Sequence, residues 1–299
     1  MDIANLRAFA NVARHQSFSA AAEHLHLTQP AISKRIAVLE AELAVSLFDR
    51  LGRRIELTEA GRALLARIPD IEQSLRQAEQ AVRDLDGDIS GPLRIATSHH
   101  IGLHRLPPVL SSFQHAQPHV QLDIEFLDSE QAYERLRVGD IELAVVTLAP
   151  GDISRLHSEP IWEDSLSVMV GKSHPLAARR RLTVRQLADY PAVLPGLDTF
   201  TGQIVHRHFE AAGVPLQLRM ATNYLETLRM MAAVGLGWTV LPDTMANADL
   251  LSLTIAGTSL RRTLGLVYHR ERSLSRAAVA FIEMLRAARP DSVPREPAP

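Results

Sequence analysis

Cysteine is absent from the 299-residue chain, which excludes disulfide bonds, thiol catalysis and cysteine-based metal sites. No apolar run approaches the roughly 18 residues that a membrane-spanning helix needs, and no basic segment followed by an apolar one marks a signal peptide. A large charge excess is also absent, since the net charge is −2. These absences predict a soluble, cytoplasmic protein that does not coat nucleic acid non-specifically. The length of 299 residues predicts two or three folded units.

The most informative segment is residues 17–36, whose pattern predicts two short helices joined by a tight turn. Thr28 is suited to cap the second helix through its hydroxyl, and Pro30 fits the first turn, where its missing N–H costs nothing. Apolar residues recur along this helix at spacings of 4, 3 and 4, which predicts one buried stripe made of Ile32, Ile36, Leu39 and Leu43.

The rest of the second helix presents small, polar and basic residues, namely Gln29, Pro30, Ser33, Lys34, Arg35 and Ala37. Such a face can enter the major groove of DNA, because Gln and Ser hydrogen-bond to base edges while Lys and Arg reach phosphate or guanine. Together with Thr28, the polar and basic members and Pro30 are the candidate DNA contacts. An ordinary helical hairpin with a solvated polar face is the alternative.

A basic β-hairpin is predicted directly after these helices, where two short apolar runs flank Leu51 and Gly52. Arg50, Arg53 and Arg54 cluster at its tip, and arginines beside a helix-turn-helix suit the narrow minor groove or the phosphates. The hairpin is therefore predicted to be a DNA-binding wing, with a solvated loop as the alternative.

A long helix over residues 58–88 is predicted to follow the wing. Its apolar residues alternate at spacings of 4 and 3 over three heptads, at Leu64, Ile68, Ile71, Leu75, Ala78, Val82 and Leu85. That repeat is typical of a coiled-coil seam, so the helix is predicted to hold a homodimer or homotetramer together. A helix packed on its own domain is the alternative.

From residue 92 onwards, strand and helix patterns alternate, which predicts an α/β domain with a doubly wound parallel sheet over 92–299. The predicted strands are 93–97, 120–126, 141–146, 166–170, 191–194, 216–222, 238–241 and 262–267. Two lobes are expected, lobe I from 92–162 plus 266–288 and lobe II from 163–265.

Ligands of open α/β sheets bind at the carboxyl ends of the strands, so the cleft between the lobes is the predicted ligand site. Its candidate residues follow the strands in sequence: Thr97, Ser98, His99, His100, Asp128, Ser129, Thr147, Thr199, Phe200, Thr201 and Asn223. Hydroxyls and helix N-termini suit a small anion, with His99 or His100 as the positive partner. Strand-end Ser and Thr residues that only cap their helices are the alternative.

Catalytic and metal-binding patterns are not evident. His99, His100 and His104 form a histidine cluster, but no carboxylate stands at a fixed spacing from it. The chain shows no nucleophile elbow, no Walker loop and no Rossmann glycine fingerprint. The sequence therefore predicts neither an enzyme nor a resident metal or cofactor.

Residues 1–61 resemble the winged helix-turn-helix of LysR-type transcriptional regulators, through the segments Thr28-Gln-Pro-Ala-Ile-Ser, Leu47-Phe-Asp-Arg and Leu57-Thr-Glu-Ala-Gly. The resemblance extends along nearly the whole chain and implies a linker helix and a two-lobed effector domain similar to a periplasmic binding protein. It implies base and backbone contacts at Gln29, Pro30, Ser33, Lys34 and Arg53. The family often has Arg-Gln where this chain has Lys34-Arg35, which leaves open whether Lys34 reads a base or a phosphate.

The expected function is that of a sequence-specific, ligand-responsive transcription regulator that binds double-stranded promoter DNA and a small-molecule effector such as an organic acid. Stretches beginning at Ala96 and Thr222 also resemble a subgroup of these regulators associated with leucine-biosynthesis genes. The alternative is a metabolite-binding or enzymatic two-lobed protein whose N-terminal helices serve only assembly.

Overall fold

The computed structural model describes residues 1–51, 54–83, 88–179 and 181–290, and the chain divides into two compact units, Met1–Glu79 and Gln80–Pro299. The elements that begin in the first unit are α1 (Ile3–His15), α2 (Phe18–His24), α3 (Gln29–Leu43), β1 (Phe48–Leu51), β2 (Arg54–Leu57), α4 (Glu59–Leu65) and α5 (Ile68–Arg83). Within the described residues, no helix is both long and apolar enough to cross a membrane.

The predicted helix-turn-helix is confirmed by α2 and α3. The Thr28 hydroxyl caps α3 by accepting the N–H of Ala31 at 3.4 Å, and Pro30 lies in the first turn. Ile32, Ile36 and Leu39 are fully buried, as the apolar stripe predicts. Leu43 was predicted to be buried but is 36% exposed, because α3 ends there and Ala44 turns the chain in a left-handed conformation.

The predicted hairpin is also confirmed, since β1 and β2 pair antiparallel and Leu51 faces Arg54 across the strands. Only two residues connect the paired ends, which is the length of a tight hairpin turn. The proposed wing contact Arg53 lies outside the described residues, and so does the side chain of Arg54.

The single long helix predicted over 58–88 is wrong, because α4 ends at Leu65 and α5 begins at Ile68. Pro69 has no N–H to donate to the carbonyl of Leu65, and its ring clashes with that carbonyl in a continuous helix. Ile68 is 1% exposed in the core of the first unit, with Leu64 and Ile71 half-buried against that core. The first three seam residues therefore pack on their own domain.

The remaining seam residues differ from the first three. Leu75 is half-buried and Ala78 is exposed in the single chain. Val82 is 68% exposed, and Leu85 lies outside the described residues. Any apolar contact with a second chain along α5 must therefore begin near Leu75 and run towards the C-terminal end of the helix.

The first lobe of the second unit is a sheet in which β4 (Val120–Phe126), β3 (Gly91–Thr97) and β5 (Leu143–Thr147) run parallel. Its helices are α6 (His99–His104), α7 (Pro107–Ala116), α8 (Ser129–Val138) and α12 (Arg276–Ala287). Two long strands, β6 (Leu156–Gly171) and β12 (Leu260–His269), pair antiparallel and carry the chain between the lobes.

The second lobe is built on the later part of β6. Its elements are β7 (Arg181–Leu182), α9 (Val184–Ala188), β8 (Ala192–Leu194), α10 (Phe200–Ala212), β9 (Leu218–Ala221), α11 (Leu225–Ala233), β10 (Thr239–Pro242) and β11 (Leu250–Ile255). Strands β10 and β11 pair antiparallel with β6, and β8 pairs parallel with β9.

The predicted parallel order is confirmed for β3 to β5 and for β8 with β9, but the main sheet as a whole is mixed. The sequence pattern missed β7, β11 and the first half of β6. In β6, Pro160 and several polar side chains interrupt the alternation that marks a strand. Opposite Pro160, a Cβ on Gly265 would clash with the Glu159 carbonyl oxygen, so this irregular pairing requires glycine.

Separate hydrophobic cores fill the two lobes. Trp162 of β6 and Leu264 of β12 pack in the core of the first lobe, whereas Leu166 of β6 and Leu260 of β12 pack in the core of the second. Leu264 therefore packs in the first lobe, although the predicted boundary placed it in the second. The lobes meet along β6 and β12, so side chains near this crossover are well placed to line a cleft.

Candidate functional site: recognition helix and interlobe cleft

The exposed face of α3 carries the predicted DNA contacts. Gln29, Pro30 and Lys34 are exposed, and Ser33 is half-buried. The Gln29 side-chain amide donates a hydrogen bond to the Ser33 hydroxyl at 3.1 Å, four residues along the helix. This bond holds the Gln29 amide in one orientation, which suits bidentate hydrogen bonding to a base edge.

The two basic residues of α3 differ in their surroundings. Within the described part of the chain, no carboxylate pairs with Lys34. Arg35 is half-buried, and its guanidinium donates to the backbone carbonyl of Ala4 at 3.4 Å. Arg35 therefore ties α3 to α1, a role that the sequence pattern did not indicate, while Lys34 stays available to a phosphate or a base.

A cleft between the lobes brings together ten of the eleven predicted ligand residues, namely Ser98, His99, His100, Asp128, Ser129, Thr147, Thr199, Phe200, Thr201 and Asn223. It encloses about 490 Å³ of empty space, part of it open to solvent, which suits a small molecule. Thr97 is the exception: it is fully buried, and its hydroxyl donates to the Val145 carbonyl at 2.8 Å within the sheet.

Four lining residues were missed from the sequence: Glu130, Pro195, Leu225 and Arg262. Glu130 and Arg262 matter most because they bring charge into the cleft. The predicted ligand residues all follow directly after strands, whereas Arg262 lies within β12 and Glu130 in the first turn of α8. A charged residue at the start of the predicted strand 262–267 was the available signal for Arg262, since such residues are rarely buried unless paired.

Arg262 belongs to a buried cluster with Asp164 and Arg105. Its Nε and Nη2 donate to Asp164 Oδ2 at 3.2 and 2.9 Å, and Arg105 Nη2 donates to Asp164 Oδ1 at 2.7 Å. The side chains of Asp164 and Arg262 are only 1% and 6% exposed. Two guanidinium groups against one carboxylate leave one positive charge in excess beside the cleft.

The acidic and basic side chains of this cluster remain ionised. Burial alone would raise the pKa of the Asp164 carboxyl, but Arg262 and Arg105 outweigh burial and hold that pKa below its ordinary value. An arginine keeps its proton at any physiological pH. Asp164 therefore stays a carboxylate, and the excess positive charge is a permanent property of the cleft.

His100 lies against the same cluster and is almost fully buried. Its Nε2 is 3.7 Å from Asp164 Oδ2, and neither ring nitrogen has a hydrogen-bond partner among the described residues. Burial, assisted by the nearby charge of Arg262, lowers the pKa of His100 to about 4. The prediction named His99 or His100 as the positive partner, and for His100 it is therefore wrong near pH 7, whereas the charged Arg262 lines the same cleft.

His99 and His104 lie at the rim of the cleft rather than in a metal site. The His99 ring stacks on Phe126 at 5.0 Å and contacts Tyr224 at 4.8 Å between ring centroids. His104 Nε2 is 3.5 Å from Glu226 Oε1. Among the residues that the structure describes, no group of three or more His, Asp or Glu side chains could hold a metal ion.

Polar contacts join the lobes across the cleft. Glu130 of the first lobe accepts the backbone N–H of Phe200 at the start of α10. Asn223 of the second lobe donates to Asp128 Oδ2 at 2.7 Å and accepts the N–H of Gly196 at 3.0 Å. Since these contacts are hydrogen bonds at the cleft wall, a ligand that enters can exchange some of them for its own.

Comparisons with known proteins agree with this arrangement. The model of the bacterial regulatory helix-turn-helix protein, lysR family, matches residues 3–62, and that of the LysR substrate binding domain matches residues 86–290. The RuBisCO operon transcriptional regulator of Allochromatium vinosum is 32% identical over 290 residues, which cover 95% of each chain.

A second relative is more similar over a shorter stretch. It is an HTH-type transcriptional regulator of Azotobacter vinelandii, named for its place in the ibpB-leuC intergenic region, and it is 63% identical over 108 residues, 36% of this chain and 75% of its own length. Among solved structures, full-length CbnR with its target DNA superposes with a TM-score of 0.65 at 22% identity, covering 96% of this chain and 100% of that one. This likeness shows the shared fold.

Proposed function

The chain belongs to the LysR family of bacterial transcriptional regulators, and on this premise we propose which of its residues contact the operator and which hold the effector. Members of the family are DNA-binding regulators with an effector domain, and they act as oligomers rather than as enzymes. We propose that this chain likewise has no catalytic activity of its own. Its place of action follows from its partner, because bacterial promoter DNA lies in the cytoplasm.

We propose that α3 lies in the major groove, with Gln29 and Ser33 reading base edges and Lys34 contacting a phosphate or a guanine. The hydrogen bond between Gln29 and Ser33 supports this reading, because it aligns an exposed amide with a base edge. Arg53 and Arg54 in the wing contact phosphates or the minor groove. Thr28 caps the N-terminus of α3, and Arg35 anchors α3 to α1 through its hydrogen bond to the Ala4 carbonyl.

We propose that the effector is a small metabolite that carries a carboxylate and binds in the interlobe cleft. The observation that carries this proposal is the pairing of a buried, charged Arg262 with a buried His100 that lacks hydrogen-bond partners. Three of the five N–H groups of Arg262 are used by Asp164 and Thr201, so two remain for a ligand. Ser98, Thr147 and Thr201 add hydroxyls to the same site.

Assembly is proposed to use the C-terminal part of α5, where Leu75 and Val82 leave apolar surface uncovered in the single chain. The Azotobacter vinelandii relative is named for its place beside leuC. That name supports a leucine-biosynthesis promoter as the first target to examine, as the sequence resemblance also suggested.

The test is a gel-shift titration of the full-length protein on the intergenic DNA beside its own gene, with unrelated DNA of equal length as the control. We expect a complex that survives excess unrelated competitor, because base contacts add to the sequence-independent phosphate contacts. Equal binding to both DNA fragments at every salt concentration would contradict the proposed sequence-specific regulator.

A further inference from the structure

The charges that line the effector cleft are separated by sign. Arg262 and the neutral His100 lie beside Asp164, while Glu130 and Asp128 lie on the α8 side of the cleft. Burial raises the pKa of Glu130 most, and the carboxylates of Asp128 and Asp198 raise it further, while no basic side chain is among the causes that shift this pKa. One wall of the cleft is thus cationic and the other acidic.

The cationic wall is a built site rather than a chance grouping. Arg262 is held by Asp164 and by the hydroxyl of Thr201 at 3.3 Å, and it is almost completely shielded from water. His100, also more than nine-tenths buried, lines the cleft with no hydrogen-bond partner for either ring nitrogen among the described residues. A neutral imidazole can donate one hydrogen bond and accept another, so a ligand carboxylate beside Arg262 satisfies a donor that now has no acceptor.

The acidic wall is equally defined. Glu130 is half-buried, and its carboxylate accepts the N–H of Phe200. A carboxylate has about four acceptor positions, so capacity remains for a donor in the cleft. Burial is the largest cause that raises the pKa of Glu130, which means that its negative charge lacks solvation and gains from a cation placed beside it.

These observations point to a ligand with charges of both signs. We propose that the effector of this regulator is a zwitterionic amino acid, whose carboxylate binds at Arg262 and His100 and whose ammonium group binds at Glu130 and Asp128. This inference rests on the proposed effector function of the cleft and names its ligand class. A dicarboxylate places its second charge against the acidic wall, and a plain carboxylate leaves that wall without a partner. Pro195, Phe200 and Leu225 supply apolar surface for the side chain.

The test uses the full-length protein and series of compounds that differ only at Cα. Alanine, lactate and propionate form one series, and leucine, 2-hydroxy-4-methylpentanoate and 4-methylpentanoate form another; the other natural amino acids and succinate complete the panel. Isothermal titration calorimetry measures each Kd. Within a series, we expect the amino acid to bind about tenfold or more tightly than the matching hydroxy acid and plain acid. The reason is that a hydrogen bond to a charged group contributes more than one between neutral groups.

The variant Glu130→Gln then tests the role of the negative charge on the acidic wall, because glutamine still offers an acceptor oxygen to the Phe200 N–H but carries no charge. We expect the ratio between amino acid and hydroxy acid affinities to collapse in this variant. Glu226→Gln is the matched control: Glu226 pairs with His104 and Arg229 at the rim, outside the cleft lining, so its removal should leave the ratio unchanged.

Three outcomes overturn the inference, and the first two differ from failure of the effector site itself. If plain acids or succinate bind as tightly as the amino acids, the ligand is an anion and the cleft still functions as proposed. If Glu130→Gln keeps the preference for the amino acid, the acidic wall does not bind the ammonium group. If no compound of the panel binds at millimolar concentration, the amino-acid assignment is wrong. If amino acids bind but Arg262→Met binds them equally well, the site itself is misplaced.

Discussion

The two units of this protein place their functional groups in opposite environments. In the first unit the proposed DNA contacts Gln29 and Lys34 are exposed on a helix whose other face is fully buried. In the second unit the polar and charged groups of the cleft are themselves buried, namely Arg262, Asp164 and His100. A DNA contact must reach outwards to a large, solvated partner, whereas an effector site gains strength by keeping water away from its charges.

This difference has a consequence for substitutions. Removing an exposed contact on α3 costs binding but little folding energy, since water replaces the lost partner. Removing a member of the buried cluster leaves another charge without compensation, which costs folding energy as well as binding. Folding and function are thus separable in the first unit and coupled in the cleft of the second.

The largest effect is expected within the first unit, from Ile68→Asp. This change removes a side chain that is 1% exposed and places a carboxylate in the core, so we expect a loss of at least about 4 kcal/mol in the free energy of unfolding. Val82→Asp, on the exposed end of α5, should keep the fold and lower self-association. Thermal denaturation followed by circular dichroism, with sedimentation velocity, separates the two results; equal destabilisation by both variants would contradict the assigned burial.

Next in size is Asp164→Ala, which leaves Arg262 and Arg105 without their carboxylate. We expect a loss of about 3–5 kcal/mol in the stability of the second unit. Both tryptophans, Trp162 and Trp238, lie in this unit, so urea unfolding followed by their fluorescence reports on it alone. The matched control is Asp123→Ala, which breaks an exposed pair with Arg94 and should cost less than about 1 kcal/mol. Similar losses in the two variants would show that the cluster is not buried as described.

A smaller effect concerns acid pH and His100. The unfolded histidine has a pKa near 6.5, whereas the folded value is about 4, so the unfolded state binds more protons between these values. Stability should therefore fall as pH drops from 6.5 to 4 and stay unaffected by His100 above 6.5; the difference corresponds to about 3 kcal/mol at most. Asp164, Arg262, Arg105 and His104 all face this ring and share the titration.

The measurement for His100 is urea unfolding at pH 5 and pH 7. We expect His100→Asn to lose part of the acid sensitivity of the wild type, while the exposed His119→Asn keeps all of it. An unchanged difference between the two pH values in His100→Asn would mean that this ring is not the buried neutral group of the cleft.

The smallest effect is expected from Ser33→Ala on the recognition helix. Loss of the hydroxyl frees the Gln29 amide, so we expect operator affinity to weaken by about 1 kcal/mol and the preference for the operator sequence to relax, with unchanged thermal stability. Ser74→Ala makes the same change on an exposed position of α5 and should bind as the wild type does. Competition gel shifts with mismatched operators provide the readout, and unchanged preference in Ser33→Ala would place the base-reading face elsewhere.

The sequence was informative where the structure depends on neighbours along the chain. The spacing of Ile32, Ile36 and Leu39 predicted both the buried stripe and the face opposite it, because a helix brings such residues together by its own geometry. The same reasoning failed at α5, where Pro69 interrupts the helix although the apolar repeat continues through it. A periodic pattern alone does not say whether the helix carrying it is continuous.

In the cleft, most lining residues were predictable because strand ends converge at one edge of a sheet. The charges that set its chemistry were not, because they come from distant positions: Arg262 and Asp164 are 98 residues apart, and Glu130 and Phe200 are 70 apart. His100 was misjudged for the same reason. Its loss of positive charge follows from burial beside Arg262, which no local pattern reveals.

The most direct test of this account joins the two units in one measurement. DNase I footprinting on the DNA beside the gene, with and without the best-binding amino acid of the panel, should show sequence-specific protection whose extent changes with the amino acid. Glu226→Gln should keep that response and Arg262→Met should lose it. Protection that never depends on the amino acid, or the same response in Arg262→Met, would contradict control of the recognition helix by the cleft.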